Sequence, residues 1–577
     1  MSGAARPKSR PEHDGARALC ARVVQELCAL RPVMASAVGI HTADTELEGY
    51  GPAERAACRR TVGAALAELG RLRSGPAPLD PGLARDLRWL KARLLGLEHE
   101  IEAVRPFARN PDFYNELAGE AIYQVIARPA ADPSARLRAC VGRLAALPAH
   151  FASAELLLED PPAALLRVAR EQAERSLAFY EQGVPRAFRS ARARRALAGP
   201  VAAAGCAVRR YAAFLERRIE ASAGRNGQPG LGEDVLARYL ATAELVAARP
   251  ADLERQARGE LRRARTALEE QAARLAGRAR RRRAATSARA ILEELGRDHP
   301  NAAQIIPELR GVVTRLRRFC RQAELVTVPA AAARCRVSPM PEYLTSLVVA
   351  CMDVPGPFEA REAAAAYQVT LPRPRSAPRA AADDSGLAQF FNRAGMHWVT
   401  AHEAYPGHLV QMAALRQCAS PVRRLFSPDT FVEGWAHYAE ELVFEAGYGD
   451  GQDHLKLAKE HGALMRAARC VASLGLHCGA MSLSQAERLL CDEGLFPPGL
   501  ARSEALRCAV DLSCFSYTIG KLGLLALRDE VRAAWGAGFT LRRFHDAILA
   551  EGQLPLALLR EALLEQDRRK AIGLAAS

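Results

Sequence analysis

The stretch TAHEAYPGHLVQM, residues 400–412, decides how this chain is read. His402 and Glu403 stand side by side, as at the start of a zinc-peptidase helix. In such a helix two histidines one turn apart bind the metal and the glutamate acts as general base. Four places after His402, however, stands Pro406, and the next histidine is His408. On an unbroken helix an interval of six rotates the second side chain by about 240° and carries it about 9 Å along the axis. Two imidazoles so placed cannot share an ion about 2 Å from each nitrogen. Pro406 removes an amide donor and pushes Tyr405 out of the helical region, and Gly407 opens conformations closed to other residues. Two readings follow. Either the break swings His408 back toward His402, or the helix ends at Tyr405 and His408 belongs to a loop.

A second segment bears on the choice. FVEGWAHYAEEL, residues 431–442, reads as one helix, and Glu433, His437 and Glu440 fall at i, i+4 and i+7 on one face. Those are three metal-competent side chains, and a zinc site takes its third ligand from another element. Glu441 reads as part of a solvated acidic face, whereas Gly434, Trp435 and Ala436 place Glu433 next to buried positions. Trp435 and Tyr438 are expected to pack elsewhere around the helix. His397 and Trp398 read as packing residues of the helix before the motif.

Around these motifs the chain has the composition of a globular, helical protein. Of its 577 residues, 49% are hydrophobic and 25% charged, ordinary values for a folded domain. Ala, Leu, Arg and Glu dominate, and apolar residues recur every three or four places in ARALCARVVQELCAL, VGAALAELGRLRS and LARDLRWLKARLLGLEHEIEAV. Pro/Gly breaks fall at 74–82, 224–232 and 297–308. Residues 326–386 differ: LVTVP, YLTSLVVACM and AYQVTLPRPRSAP predict one to three short strands and a Pro-rich connection. The expected organisation is a tail over 1–14, a helical region over 15–350, a connection over 351–387, and a helical region over 388–577 that carries the chemistry.

The net charge of +15 rests on arginine, since only six of the 80 basic residues are lysine. The densest cluster, RARRRR at 278–283, has no interleaved aromatics and reads as a solvated helix face, so no nucleic-acid partner is expected. The 14 cysteines include no C-x-x-C pair and are scattered over apolar positions. With a polar N-terminus and no apolar run of membrane-spanning length, they predict a cytoplasmic protein without a membrane partner.

These residues resemble the bacterial DUF885 proteins, which are zinc-metallopeptidase-like and carry an HExxPGH signature. The resemblance rests on HEAYPGHLVQ with Gln411, EGWAHYAEEL, and the long block SYTIGKLGLLALRDEVRAAWGAGFTLRRFHDAILAEGQLPLALLRE. It is extended weakly by RPVMASAVGIHTADTEL and RNPDFYNEL. It implies a mainly α, large single helical fold with a central cleft and a small β element. It implies Zn2+ held by His402, His408 and Glu433, with Glu403 as base. Leu409 replaces a further histidine common in the family. His437 replaces an apolar residue and, with Gln411 and Glu440, is expected to support the ligands or touch substrate. Tyr517 and His545 are nominated as donors to a developing oxyanion, and Gly520 after Tyr517 as the point of a close helix approach. The expected activity is hydrolysis of a peptide or small amide. The alternatives are a non-catalytic binding or scaffold protein on the same fold, and a duplex-binding protein that would show steep salt dependence. Composition does not choose between substrates with a free carboxylate and those with a free amine, nor does it give the oligomeric state.

Overall fold

The apolar recurrence every three or four residues yields helices throughout the computed structural model, with one small sheet. It describes residues 11–73, 79–127, 132–222, 229–278, 287–341, 349–360, 364–371 and 391–571. Most of the RARRRR cluster, and most of the Pro-rich connection beyond 371, lie outside the described residues. The first helix, Pro11–Leu30, begins inside the expected tail. The break expected over 297–308 is also shorter. Asn301 caps the helix Ala302–Gln322 by accepting from the amides of Ala303 and Gln304, and the Gln304 side chain accepts in return from the Asn301 amide.

One hydrophobic core runs from Ala16 to Leu563, and a second joins Tyr114, Phe151, Tyr180 and Tyr211. N-terminal and C-terminal helices share the first. Pro250–Arg278 lies along Asp453–His477, and Ala302–Gln322 packs on Gly395–Glu403. A cavity of about 470 Å³ lies between the two halves, lined by Val104, Leu165, His477 and Leu512 among others. No single helix among the described residues is long and apolar enough to cross a membrane.

The sheet has strands β1 (Cys335–Pro339), β2 (Ala350–Asp353) and β3 (Ala365–Val369) in the order β1-β3-β2. β1 runs parallel to β3 and β2 antiparallel to it, with Val337 and Met352 both opposite Tyr367. The central strand is buried along its whole length, which is why AYQV lacks an alternating polar face. Its Tyr367, with Cys335 and Cys351 on the flanking strands, lies within electrostatic reach of Glu403. The sheet is therefore one wall of the region around that glutamate.

Two helices cross almost in backbone contact beside this wall. Gly434 of Asp429–Glu445 meets Gly520 of Ser516–Trp535, and a Cβ on Gly520 would overlap the carbonyl oxygen of Thr430. The crossing brings Glu433 and Tyr517 to the same side. Behind it, four helices are tied by buried charges. Lys521 donates to Glu260 at 2.5 Å, and Lys459 to Glu441 at 3.0 Å and to Glu460 at 2.6 Å. Glu441 is thus not part of a solvated face. Burial alone would raise it, but Lys459 and then Lys521 hold it down at about 2.

Candidate metal centre

The break at Pro-Gly does return the chain. The helix Gly395–Glu403 ends with the Ala404 amide on the Thr400 carbonyl, the Tyr405–Pro406 peptide is cis, and a new helix runs His408–Leu415. Gly407 donates its amide to the Ala401 carbonyl at 3.0 Å. A Cβ there would overlap the His402 carbonyl oxygen, so the return requires glycine. Trp435 fixes it from outside, donating Nε1 to the Pro406 carbonyl at 3.1 Å.

His402 and His408 consequently face each other, with ring centroids 4.8 Å apart and planes at 84°. Each presents Nε2 to the same atom, Glu433 Oε2, at 3.5 Å. The three ligand atoms all lie within 4.8 Å of one another. A tetrahedral zinc ion with bonds of about 2.1 Å separates its ligands by roughly 3.4 Å, so the donor set and its spacing fit zinc. Glu433 Oε2 is buried and accepts no hydrogen bond, as expected of an atom reserved for a cation. Burial would raise Glu433, but His408 and His402 hold it well below the usual carboxylate range.

Each histidine has its other nitrogen engaged. His402 Nδ1 donates to Glu440 Oε1 at 2.8 Å, which leaves Nε2 as the ligand atom. His408 Nδ1 lies 3.5 Å from Gln411 Oε1, a long contact, and Gln411 itself donates to the Phe431 carbonyl at 3.4 Å. Glu440 in turn receives Arg466 Nη2 at 2.8 Å. Burial opposes ionisation of Glu440, yet Arg466 keeps it well below the carboxylate range. Burial pulls His402 down, but Glu433 and Glu440 together push it up to about 9. Arg466 was absent from the sequence reading. Its signal was a pair of cations, Arg466 and Arg469, amid apolar residues in GALMRAARC, on a helix buried along most of its length.

Glu403 is buried beside these groups. Desolvation raises its carboxyl pKa, against the pull of His402 and His408, which moves a carboxylate toward the range of a general base. The Tyr517 ring lies parallel to that of His402, 17° apart in plane with centroids 6.0 Å apart. Burial, and then Glu433, push its phenol upward, so it remains an O–H donor.

One nomination needs correction, and of the two roles left open for His437 one remains. His545 has both nitrogens committed in the core: Nδ1 donates to the Leu325 carbonyl at 2.6 Å, and Nε2 pairs with the Tyr438 hydroxyl at 2.8 Å. It packs edge-on against Trp435, fully buried, and burial pushes it down to about 4. It has no nitrogen left for an oxyanion. His437 is also out of substrate's reach, 2% exposed, with Nδ1 3.4 Å from Glu440 Oε2. Burial and then the nearby Lys521 depress it to about 3. It backs Glu440 as a neutral ring. The helix also turns Glu433 to the ligands and Glu440 to the far side of His402, so they do not share one ion.

Comparison with known proteins agrees with this architecture. The profile of a bacterial family described as of unknown function, DUF885, matches residues 32–563. A candidate lipoprotein of unknown function from Shewanella oneidensis has a solved structure that superposes with a TM-score of 0.76 at 21% identity, covering 95% of this chain and 99% of its own. A candidate lipoprotein from Colwellia psychrerythraea superposes with a TM-score of 0.79 at 17% identity, covering 97% and 99%. At these identities the likeness is one of fold. No curated protein matches the chain.

Proposed function

The chain belongs to the DUF885 family, and from its own side chains we propose that it is a zinc-dependent hydrolase of peptide or related amide bonds. The observation that supports this most is the convergence of His402 Nε2 and His408 Nε2 on Glu433 Oε2, at 3.5 Å each, with Glu403 buried next to them. Zinc held by those three residues supplies a Lewis acid that acidifies water and polarises a carbonyl.

The protein's part is to place groups around that chemistry. Glu403, its carboxyl pKa raised by burial, takes a proton from the attacking water and passes it to the leaving nitrogen. Tyr517 keeps its proton and offers it as a hydrogen bond to the oxygen on which charge develops. Glu440, pinned by Arg466, fixes the tautomer and orientation of His402. Arg466 also lies over the rings of Trp398 and Tyr517, at 4.8 and 5.6 Å from their centroids, and so links the ligand to the oxyanion donor.

The test is elemental analysis of the purified protein together with mass-spectrometric profiling of a peptide library, with and without chelator. One zinc per chain and cleavage that the chelator abolishes are expected. Stoichiometric zinc with no cleavage of any peptide or amide would overturn the hydrolase and favour a binding or scaffold protein.

A further inference from the structure

We propose that Arg469 and Arg507, beside Tyr517, form a subsite for a carboxylate that the substrate carries next to its scissile bond. The inference rests on the hydrolase reading above and names the substrate class for that same site.

Helix Asp453–His477 carries Arg466 and Arg469 one turn apart, and helix Pro498–Val510 carries Arg507. Arg466 has both terminal nitrogens committed, Nη2 on Glu440 and Nη1 on the Gly462 carbonyl, and only its buried Nε lacks a partner. The other two are only partly used. Arg469 donates Nη1 to Glu504 at 3.2 Å, and its buried Nε has no partner. Arg507 donates Nε to Asp511 Oδ2 at 3.0 Å, and its terminal nitrogens have no protein acceptor among the described residues. Asp511 pairs with Arg507 through Nε alone, since its Oδ1 accepts from the Ser513 amide at 2.9 Å and the Ser513 hydroxyl at 2.6 Å, so the terminal donors of Arg507 stay open. A guanidinium offers five donors in a planar fork suited to a carboxylate.

Tyr517 ties this pair to the metal centre. Its ring stacks on His402, and the Arg469 guanidinium lies 5.5 Å from the ring centroid. Its phenol is raised by burial and then by Glu433 and Asp511, and lowered by Arg507 and Arg469, so both the ligand carboxylate and the two cations lie within electrostatic reach of it. A group reaching from the zinc ligands past Tyr517 therefore meets these two cations. The Arg507 side chain is 29% exposed, so its free terminal nitrogens are reachable from solvent. Glu116 also lies near Arg507, but it is exposed to solvent, which screens its charge.

The experiment uses the full chain loaded with Co2+ and two thiols that differ only in one end, 3-mercaptopropionate and 3-mercaptopropionamide. The thiolate-to-cobalt absorption band reports binding without any turnover. The acid is expected to bind about 10- to 100-fold tighter than the amide, the range of a charge-assisted hydrogen-bonded pair. Arg507→Gln should abolish that preference without shifting the affinity for the amide, and Arg507→Lys should restore part of it. Arg507 is partly exposed, so these variants are expected to fold, and the wild-type comparison needs no variant. Equal binding of acid and amide, with a normal cobalt band, would overturn the subsite while leaving the metal centre standing. Tighter binding of the amide, or of an amine-ended thiol, would overturn it in favour of a cation subsite. No cobalt band at all would overturn both readings. Peptides then separate the two sources of a carboxylate. Preference lost on C-terminal amidation assigns a terminal carboxylate, and preference that survives amidation but is lost on changing Glu to Gln assigns an acidic side chain.

Discussion

Glu440 and Glu441 follow one another on the helix Asp429–Glu445 and point about 100° apart. Both are buried carboxylates held ionised by cations, yet their surroundings differ in one respect. Glu441 faces Lys459 and Lys521, which also bind Glu460 and Glu260, and Arg263 pairs with Glu260 as well, so three cations meet three carboxylates. Glu440 faces Arg466 and His402, and His402 has a second nitrogen that no protein donor fills and that points at Glu433 and His408. A closed set of buried charges ties helices together. An open set, in which each group orients the next and the last has spare valence, makes a site. The comparison predicts that substitutions on the two sides of this helix act on different quantities.

The largest effect is expected at Glu403, on the open side. Glu403→Gln should lower turnover by about 10²- to 10⁴-fold, the range for removing a general base, while zinc content and thermal midpoint stay as in the wild type. Full activity in a zinc-replete Glu403→Gln protein would remove Glu403 from the mechanism. On the closed side, Lys521→Met leaves Glu260 with Arg263 alone and weakens the hold on Glu441. Breaking a buried pair by removing one partner costs about 3–5 kcal/mol and Arg263 offsets part of that, so urea unfolding should show a loss of up to that order with zinc affinity little changed. Glu440→Gln breaks a buried pair too, with Arg466, but unlike Lys521→Met it should also act on the metal. Zinc affinity should fall about 10- to 100-fold, the usual cost of losing a partner behind a ligand, and chelator competition measures it. If Lys521→Met and Glu440→Gln gave the same ratio of stability loss to affinity loss, the distinction between the two sides would collapse.

The open side was more legible in the sequence than the closed one. His402, Glu403, His408 and Glu433 show through because metal chemistry restricts residue type and spacing, and Pro406-Gly407 announces a break where the spacing needs one. The helical class and the short strands followed from periodicity and from residues such as AYQV. The order β1-β3-β2 did not, because it depends on which distant segments meet. The failures have the same origin. Glu441 looks solvated until Lys459 and Lys521 arrive from two other helices. His545 looks free until Leu325, 220 residues earlier, supplies an acceptor. Arg466, Arg469 and Arg507 could not be told from the many surface arginines of this chain, since a cation's burial is set by tertiary packing rather than by its neighbours in sequence.

The smallest effect sharpens the comparison through pH, because only the open side competes with protons for its ligand. In the metal-free protein His402 is held at about 9 against an ordinary value of 6.5, chiefly by Glu433 and Glu440 overcoming burial. Its folded pKa lies above its unfolded one, so protonation stabilises the metal-free fold. That contribution is complete below about pH 6.5 and is lost as pH rises toward about 9, at up to roughly 1.4 kcal/mol per pH unit. Zinc needs the same nitrogen deprotonated, so its affinity should move the other way, rising by up to about tenfold per pH unit across that window as one proton is displaced. Unfolding curves of the chelated protein and zinc titrations at matched pH values measure the two slopes. Opposite signs are expected in the wild type. In Glu440→Gln both slopes should shrink and their window shift downward, because His402 then keeps only Glu433 to hold its proton. In Lys521→Met, whose lost pair lies on the closed side, both slopes should persist. Slopes of the same sign in the wild type would mean that His402 is not the group whose proton the metal replaces.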